Sequence, residues 1–391
     1  MNDQPADLIC FSHLRWDFVF QRPQHLMQRF AAALRVFYIE EPIDVDYESI
    51  LQVRPTGYGV TVVTPKLAKT LRPDRRMQVQ CQLLASFFAA EKVHGAIAWF
   101  YTPMSLPLLD SIPRVDLVMY DCMDELSLFK DAPSELTQRE NDLFKIADLV
   151  FTGGKQLYEA KRTSHSSVHC FPSGVDFCHF SKARSKSDDP HDQCQIPFPR
   201  LGFAGVIDER MDLELVAEVA ALRPDWHIVM LGPIAKIDPR SLPQLANIHW
   251  LGKKDYADLP AYFGHWDLAI MPFAINDATK FISPTKTPEF LAAGLHVIST
   301  PLRDVLNPYS TLGFASIGCD AIAFVQKAQA AMETEISANR QRQIDAFLST
   351  QSWDTTWERM ASLISNAIEG RNRDQPRKSE REALHHVAAA V

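Results

Sequence analysis

Short apolar runs alternate with amphipathic stretches along this chain, and the alternation occurs twice. In the first half DLICF (Asp7 to Phe11), VFYIE (Val36 to Glu40), GVTVV (Gly59 to Val63), AIAWFY (Ala96 to Tyr101), DLVMYD (Asp116 to Asp121) and DLVFT (Asp148 to Thr152) read as buried strands. Helical patterns lie between them, such as PQHLMQRFAAAL (Pro23 to Leu34) and SELTQRENDLFKIA (Ser134 to Ala147). Strands apolar at nearly every position need cover on both faces. Intervening helices supply it, and the result is a parallel sheet.

The pattern breaks at FSKARSKSDDPHDQCQ, which is polar and lacks periodicity. It then restarts with RLGFAG (Arg200 to Gly205), HIVMLG (His227 to Gly232), IHWLG (Ile248 to Gly252), DLAIMPF (Asp267 to Phe273) and LHVIST (Leu295 to Thr300). LELVAEVAAL (Leu213 to Leu222) and DLPAYFGH (Asp258 to His265) read as helices between them. The expected fold is α/β, with two tandem Rossmann-like, doubly wound parallel-sheet domains. The first domain is expected over 1–180, a linker over 181–198 and the second domain over 199–351. A final helix over 352–371 has Ser352 as its N-cap candidate and a Trp353, Trp357, Met360 stripe, and a mobile tail is expected over 372–391. Such domains set the C-terminal ends of two sheets across a cleft, where ligands bind.

A chain of 391 residues has room for two domains. A net charge of −8 argues against nucleic acid as a partner. The seven cysteines form no CxxC pair and no metal-ligand framework. The opening MNDQPADLICF lacks the basic region and cleavage site of a signal peptide, so a reducing cytoplasm is expected.

The chemistry concentrates in KFISPTKTPEFLAAGLHVIST (Lys280 to Thr300). A helix starting near Pro284 would offer the N–H groups and hydroxyls of Ser283, Thr285 and Thr287, with the Lys286 ammonium, to a phosphate. Glu289, about one turn on, could accept hydrogen bonds from a ribose diol, or merely complement the helix dipole. Arg210, beyond the strand that ends at Gly205, can reach a phosphate from the other side, or pair with Asp208 or Glu209. Asp121, Asp124 and Glu125 follow a first-domain strand and can face the cleft, with Asp124 alternatively a helix cap.

These segments together resemble the retaining group 1, or family 4, glycosyltransferases of GT-B fold. ADLVFTGGKQLYEAKR and CFPSGVDFCHF resemble the end of that group's first domain. SPTKTPEFLAAGLHVIST resembles its donor motif, and SWDTTWERM its last helix, which crosses back to the first domain. FSHLRWDFVFQRPQHLMQRF resembles a bacterial subgroup that opens with Trp-Asp and Gln-Arg-Pro. The resemblance implies sugar transfer, with retention, from a nucleoside diphosphate sugar (UDP or GDP) to a hydroxyl of a carbohydrate or lipid-linked acceptor. The enzyme would be hexosyltransferase-like, in polysaccharide or glycoconjugate synthesis. Glu289 would bind the donor ribose; Gly205, Ser283, Thr285, Lys286, Thr287 and Arg210 would surround the diphosphate. Arg210, Lys286 and Asp121 are the candidate catalytic residues, and His13, Trp16, Arg22 and Asp124 the candidate acceptor contacts. An aromatic ring beside Arg and carboxylate suits a carbohydrate or phosphorylated acceptor, though Trp16 could equally pack inward. No cofactor and no metal are required, because the protein supplies the positive charge. The cytoplasm is the expected place of work, with the inner face of the membrane and peripheral membrane contact left open.

Two departures stand out. Phe281 occupies the place of a second Glu, eight positions before Glu289, and Gly205-Val206 replaces a Gly-Arg pair. They keep two alternatives in view. One is a sugar-nucleotide epimerase using His13, Asp121 and Asp124. The other is a nucleotide-sugar-binding subunit without turnover. DVD (Asp44 to Asp46) has the Asp-x-Asp form of metal-dependent transferases of another fold and is taken as loop.

Overall fold

The computed structural model describes residues 7–185 and 187–374. Its first sheet is built from β1 (Asp7–Ser12), β2 (Arg35–Glu40), β3 (Ile43–Val45), β4 (Ile50–Pro55), β5 (Val60–Ala68), β6 (Ala96–Phe100), β7 (Val115–Cys122), β8 (Leu149–Thr152) and β9 (Val168–Cys170). The order is β3-β5-β2-β1-β6-β7-β8-β9, with β4 pairing β5. The second sheet holds β10 (Arg200–Ala204), β11 (His227–Leu231), β12 (Ile248–Gly252), β13 (Leu268–Met271), β14 (Val297–Ser299) and β15 (Ala315–Ile317), ordered β12-β11-β10-β13-β14-β15.

All pairings are parallel except β4 with β5, which is antiparallel. The parallel sheets expected from the strand pattern are found, and β4, which that pattern did not include, adds one antiparallel strand. β4 has a mostly exposed surface and no continuous apolar run, so it lacks the sequence signature of a central strand. DVD is likewise strand rather than loop for Asp44 and Val45, and its carboxylates pair with Arg76 and Lys69.

In each sheet the strand order reverses once, between β1 and β6 and between β10 and β13. Chains leave the sheet in opposite directions at such a point and open a crevice beyond the strand ends. The loops after β1, β10 and β13 therefore carry the site.

Helices α1 (Arg22–Phe30), α2 (Pro73–Ala90), α3 (Leu136–Ile146) and α4 (Lys155–Lys161) belong to the first domain. The second has α5 (Phe177–Phe180), α6 (Leu213–Leu222), α7 (Leu259–Phe263), α8 (Lys286–Ala292), α9 (Ala321–Met332) and α10 (Ala338–Ser349). The last helix, α11 (Trp353–Asp374), packs Trp353, Met360, Ile364 and Ile368 into the first domain's core beside Trp16, Met27 and Trp99. The Ser352 hydroxyl accepts from the Thr355 N–H at 3.0 Å and caps its start. This helix runs three residues beyond the end expected for it, and residues 375–391 of the expected tail lie outside the described residues.

The stretch 181–198 is not a free linker. Ala183 and Ile196 enter the second domain's core. Asp189 bonds the buried Arg200 at 2.7 Å, and Gln193 accepts from the Trp266 indole at 2.8 Å. Most of its polar side chains are exposed, while Ala183, Gln193 and Ile196 anchor it to the second domain.

Candidate active site

A cavity of about 710 Å³ lies between the two domains. Trp16 to Gln21, Met123, Asp124 and Gly153 line it from the first domain; Gly205, Arg210, Gly232, Lys253 to Tyr256 and Ile282 to Lys286 line it from the second. Lys253 Nζ donates to the Asp17 carbonyl at 2.7 Å, and the Phe20 and Tyr256 rings lie 4.6 Å apart, so both walls meet at one end.

The loop after β13 turns into α8 at Thr285. Lys286 and Glu289 are one turn apart, and Lys286 Nζ lies 2.6 Å from Glu289 Oε2. Glu289 is only 6% exposed, and burial pushes its carboxyl up while Lys286 opposes the shift. It is thus no solvated dipole partner but a buried acid with one cation beside it. Ser283, Thr285 and Lys286 face the cavity. Thr287 does not: it is fully buried and its hydroxyl points to Met271 Sδ at 3.1 Å, so its side chain is corrected from ligand contact to core packing.

Opposite, β10 ends at Ala204 and Gly205 continues into the loop bearing Arg210. Asp208 holds the Arg210 guanidinium at 2.6 to 3.0 Å. Both alternatives for Arg210 therefore coexist: it is paired, and it lines the cavity. Gly232, which ends HIVMLG, lets this loop approach. A Cβ there would lie 1.7 Å from the Gly205 carbonyl oxygen, and its φ is +147°. Gly at a strand's end was the available signal for its role.

The first-domain residues divide differently from the expectation. Arg22 is 1% exposed, and its guanidinium donates to Asp121 at 2.8 to 3.1 Å and to the Phe171 carbonyl at 2.7 Å. Asp121 is fully buried. Neither reaches the cavity, so Arg22 as an acceptor contact and Asp121 as a catalytic group are both corrected. Each satisfies the other beneath the cleft floor, as buried charges must. Trp16 is mostly buried and packs edge-on against Tyr38, ring centroids 5.0 Å apart, while its backbone N–H donates to Glu40. It borders the cavity but is only 6% exposed, which corrects the expectation of an open face.

Asp124 does line the cavity, and burial pushes its carboxyl up, opposed chiefly by Arg210 across the cleft. His13 sits behind this wall with its Nδ1 buried and unpartnered. Burial and the Lys236 ammonium hold its imidazole down at about 4. Sequence reasoning missed Lys236, Lys253, Tyr256 and Gly232. They sit on loops whose only mark in the sequence is that they follow strands. Phe281 packs against the first domain's core rather than lining the cavity.

No protein-family profile matches the chain. A curated relative from Bacillus subtilis (strain 168), named the teichuronic acid biosynthesis glycosyltransferase TuaH, is 28% identical over 222 residues. The match covers 52% of this chain and 55% of TuaH, so it spans about half of the curated relative. Among solved structures, sucrose-phosphate synthase from Thermosynechococcus elongatus superposes with a TM-score of 0.69 at 14% identity, covering 93% of this chain and all of that one. Anabaena HepE in complex with UDP-glucose gives 0.63 at 12% identity, covering 92% of this chain and 99% of that one. The fold is GT-B. Among the described residues, no helix is long and apolar enough to cross a membrane.

Proposed function

We propose that the protein is a retaining, metal-independent glycosyltransferase that moves a hexose from a UDP-sugar to a hydroxyl of a carbohydrate or lipid-linked acceptor. The carrying observation is the buried Glu289 paired with the half-buried, cavity-lining Lys286. A buried carboxylate must stay partnered in every state, and here its partner is a cation that also meets the cavity. Without ligand they partner each other. A nucleotide can replace that bond on both sides, giving a ribose hydroxyl to Glu289 and a phosphate oxygen to Lys286. The name of TuaH, and the UDP-glucose held by HepE, support the same chemistry and the choice of UDP.

In the reaction the bond from the anomeric carbon to the diphosphate oxygen breaks and the acceptor oxygen bonds that carbon. Retention is met when the acceptor proton passes to the departing phosphate on the same face. Arg210 and Lys286 stabilise the charge that develops on the diphosphate. Asp124 faces the space between donor loop and first domain, where the sugar must sit. The walls meeting at Lys253–Asp17 and Phe20–Tyr256 limit water entry, so transfer competes with hydrolysis. Polysaccharide or glycoconjugate synthesis at the inner membrane face belongs to the same proposal.

Incubation with labelled UDP-hexoses and a membrane extract as acceptor tests it: UDP release should require the acceptor, and label should enter a product larger than the donor. Isomerised UDP-sugar formed without acceptor would instead establish the epimerase reading. Nucleotide binding without either product would establish a binding subunit.

A further inference from the structure

The donor loop is held by the other domain through residues that make no nucleotide contact themselves, chiefly Asp304, Gly154 and Lys155. Asp304 follows β14 in the second domain and is 6% exposed. Its Oδ2 accepts the backbone N–H of Lys155, in the first domain, at 3.2 Å. Oδ1 is buried and unpartnered. Next to it, Arg303 donates to Gln156 at 3.0 Å, while Phe281 packs against the first domain's core. Phe281 of the donor loop is thus held by the first domain, and Ser283 lies close against it at Gly154.

Gly154 makes the approach possible. A Cβ there would lie 2.6 Å from Asp304 Oδ2 and 2.6 Å from Ser283 Cβ, both atoms of the second domain. Its backbone is extended, φ −167°, so glycine is not needed for conformation. It is needed for the contact. The same segment reaches the cleft floor by its other end: Lys161 Nζ bonds Glu125 Oε2 and Glu140 Oε2, each at 2.7 Å, and Glu125 follows the cavity residue Asp124. One rigid helix, α4, touches both the donor-loop clasp and the Asp124 turn.

We infer that Asp304 is a positioning residue that ties the donor loop, 281–285, to the first domain, so that the nucleotide site is complete only when the two domains are together. The binding arm of its test rests on the nucleotide reading given above; the contact itself does not. A buried carboxylate with an orphan oxygen costs stability, and here the cost secures the Lys155 contact across the domain boundary. Phe281, in the place where the resembling group carries an acid, serves the same clasp by apolar packing.

Gly154→Ala is the sharpest probe, because its clash falls on second-domain atoms alone. In the full chain without ligand, small-angle scattering should give a larger radius of gyration than wild type, with the circular dichroism spectrum unchanged. The UDP dissociation constant should rise about tenfold, read by calorimetry. Asp304→Ala should give the same two changes, and Asp304→Asn, which keeps an acceptor for the Lys155 N–H, should largely restore both. The double variant should be no worse than either single, since one contact is lost in each. A Gly154→Ala protein as compact as wild type, or single losses in UDP affinity that multiply in the double variant, overturns the inference. If Asp304→Ala does not fold, Gly154→Ala decides alone. If wild type binds no UDP, the nucleotide reading fails while the scattering comparison still decides the clasp.

Discussion

Replacing Asp121 separates a structural role from a catalytic one. Arg22 makes four hydrogen bonds at 2.7 to 3.1 Å, three of them to Asp121, and both residues are at most 1% exposed. Asp121→Ala leaves a guanidinium in the first domain's interior with one carbonyl for a partner. Breaking a buried pair from one side costs about 3–5 kcal/mol. At roughly 2–4 °C per kcal/mol for a domain near 200 residues, the first domain's melting transition should fall by roughly 6–20 °C. Differential scanning calorimetry reads this directly. Replacing both partners, Arg22→Met with Asp121→Leu, removes the stranded charge and should recover most of the loss. UDP affinity below the transition should be unchanged in the double variant, because neither residue touches the cavity. A melting point within 1–2 °C of wild type in Asp121→Ala, on the same scale, together with lost turnover, would refute the reasoning and return Asp121 to the substrate.

Other consequences concern the cleft. Arg210→Ala and Lys286→Ala should each lower kcat more than they raise the donor KM, because their charge matters most as the diphosphate departs; an effect confined to KM would mean uniform binding. His13 is held neutral down to about pH 4, whereas in the unfolded chain it takes its proton near 6.5. Between those values the unfolded state binds more protons, so its contribution to stability is present above pH 6.5 and is lost as pH falls toward 4, by at most ~1.4 kcal/mol per pH unit. Melting curves of His13→Gln at pH 7 and 5 should show a smaller drop than wild type, and an equal drop would contradict the assignment. Trp16→Ala should destabilise the fold through lost core packing by about 3–5 kcal/mol, seen as a lower melting temperature, rather than act on acceptor use alone.

Eleven strands with unbroken apolar runs were legible because burial on both faces leaves a composition that helices and loops do not share. β4 was not, since its side chains are mostly exposed, and β3, β9 and β15 are short and only partly buried, unlike the equally short but fully buried β14. The cavity-lining turn Ser283 to Lys286 was legible for a local reason: with Glu289 it lies on one stretch, and a strand–loop–helix pattern orients these residues together. Arg22 and Asp121 misled because their partners are 99 positions apart. A loop rich in charge at a strand's end looks alike whether the charges meet a ligand or each other. Asp304 gave no local sign, because its partner Lys155 opens α4 in the other domain, 149 positions away.

Calorimetric titration of UDP into wild type and Glu289→Ala tests the central claim most directly. The account predicts saturable binding at one site to wild type. It predicts a loss of roughly 1.5–3 kcal/mol in the variant, the worth of a charged hydrogen bond to the ribose, with the melting temperature of the ligand-free chain still that of a folded protein. Equal affinity in the two proteins, or no binding to wild type, would contradict it.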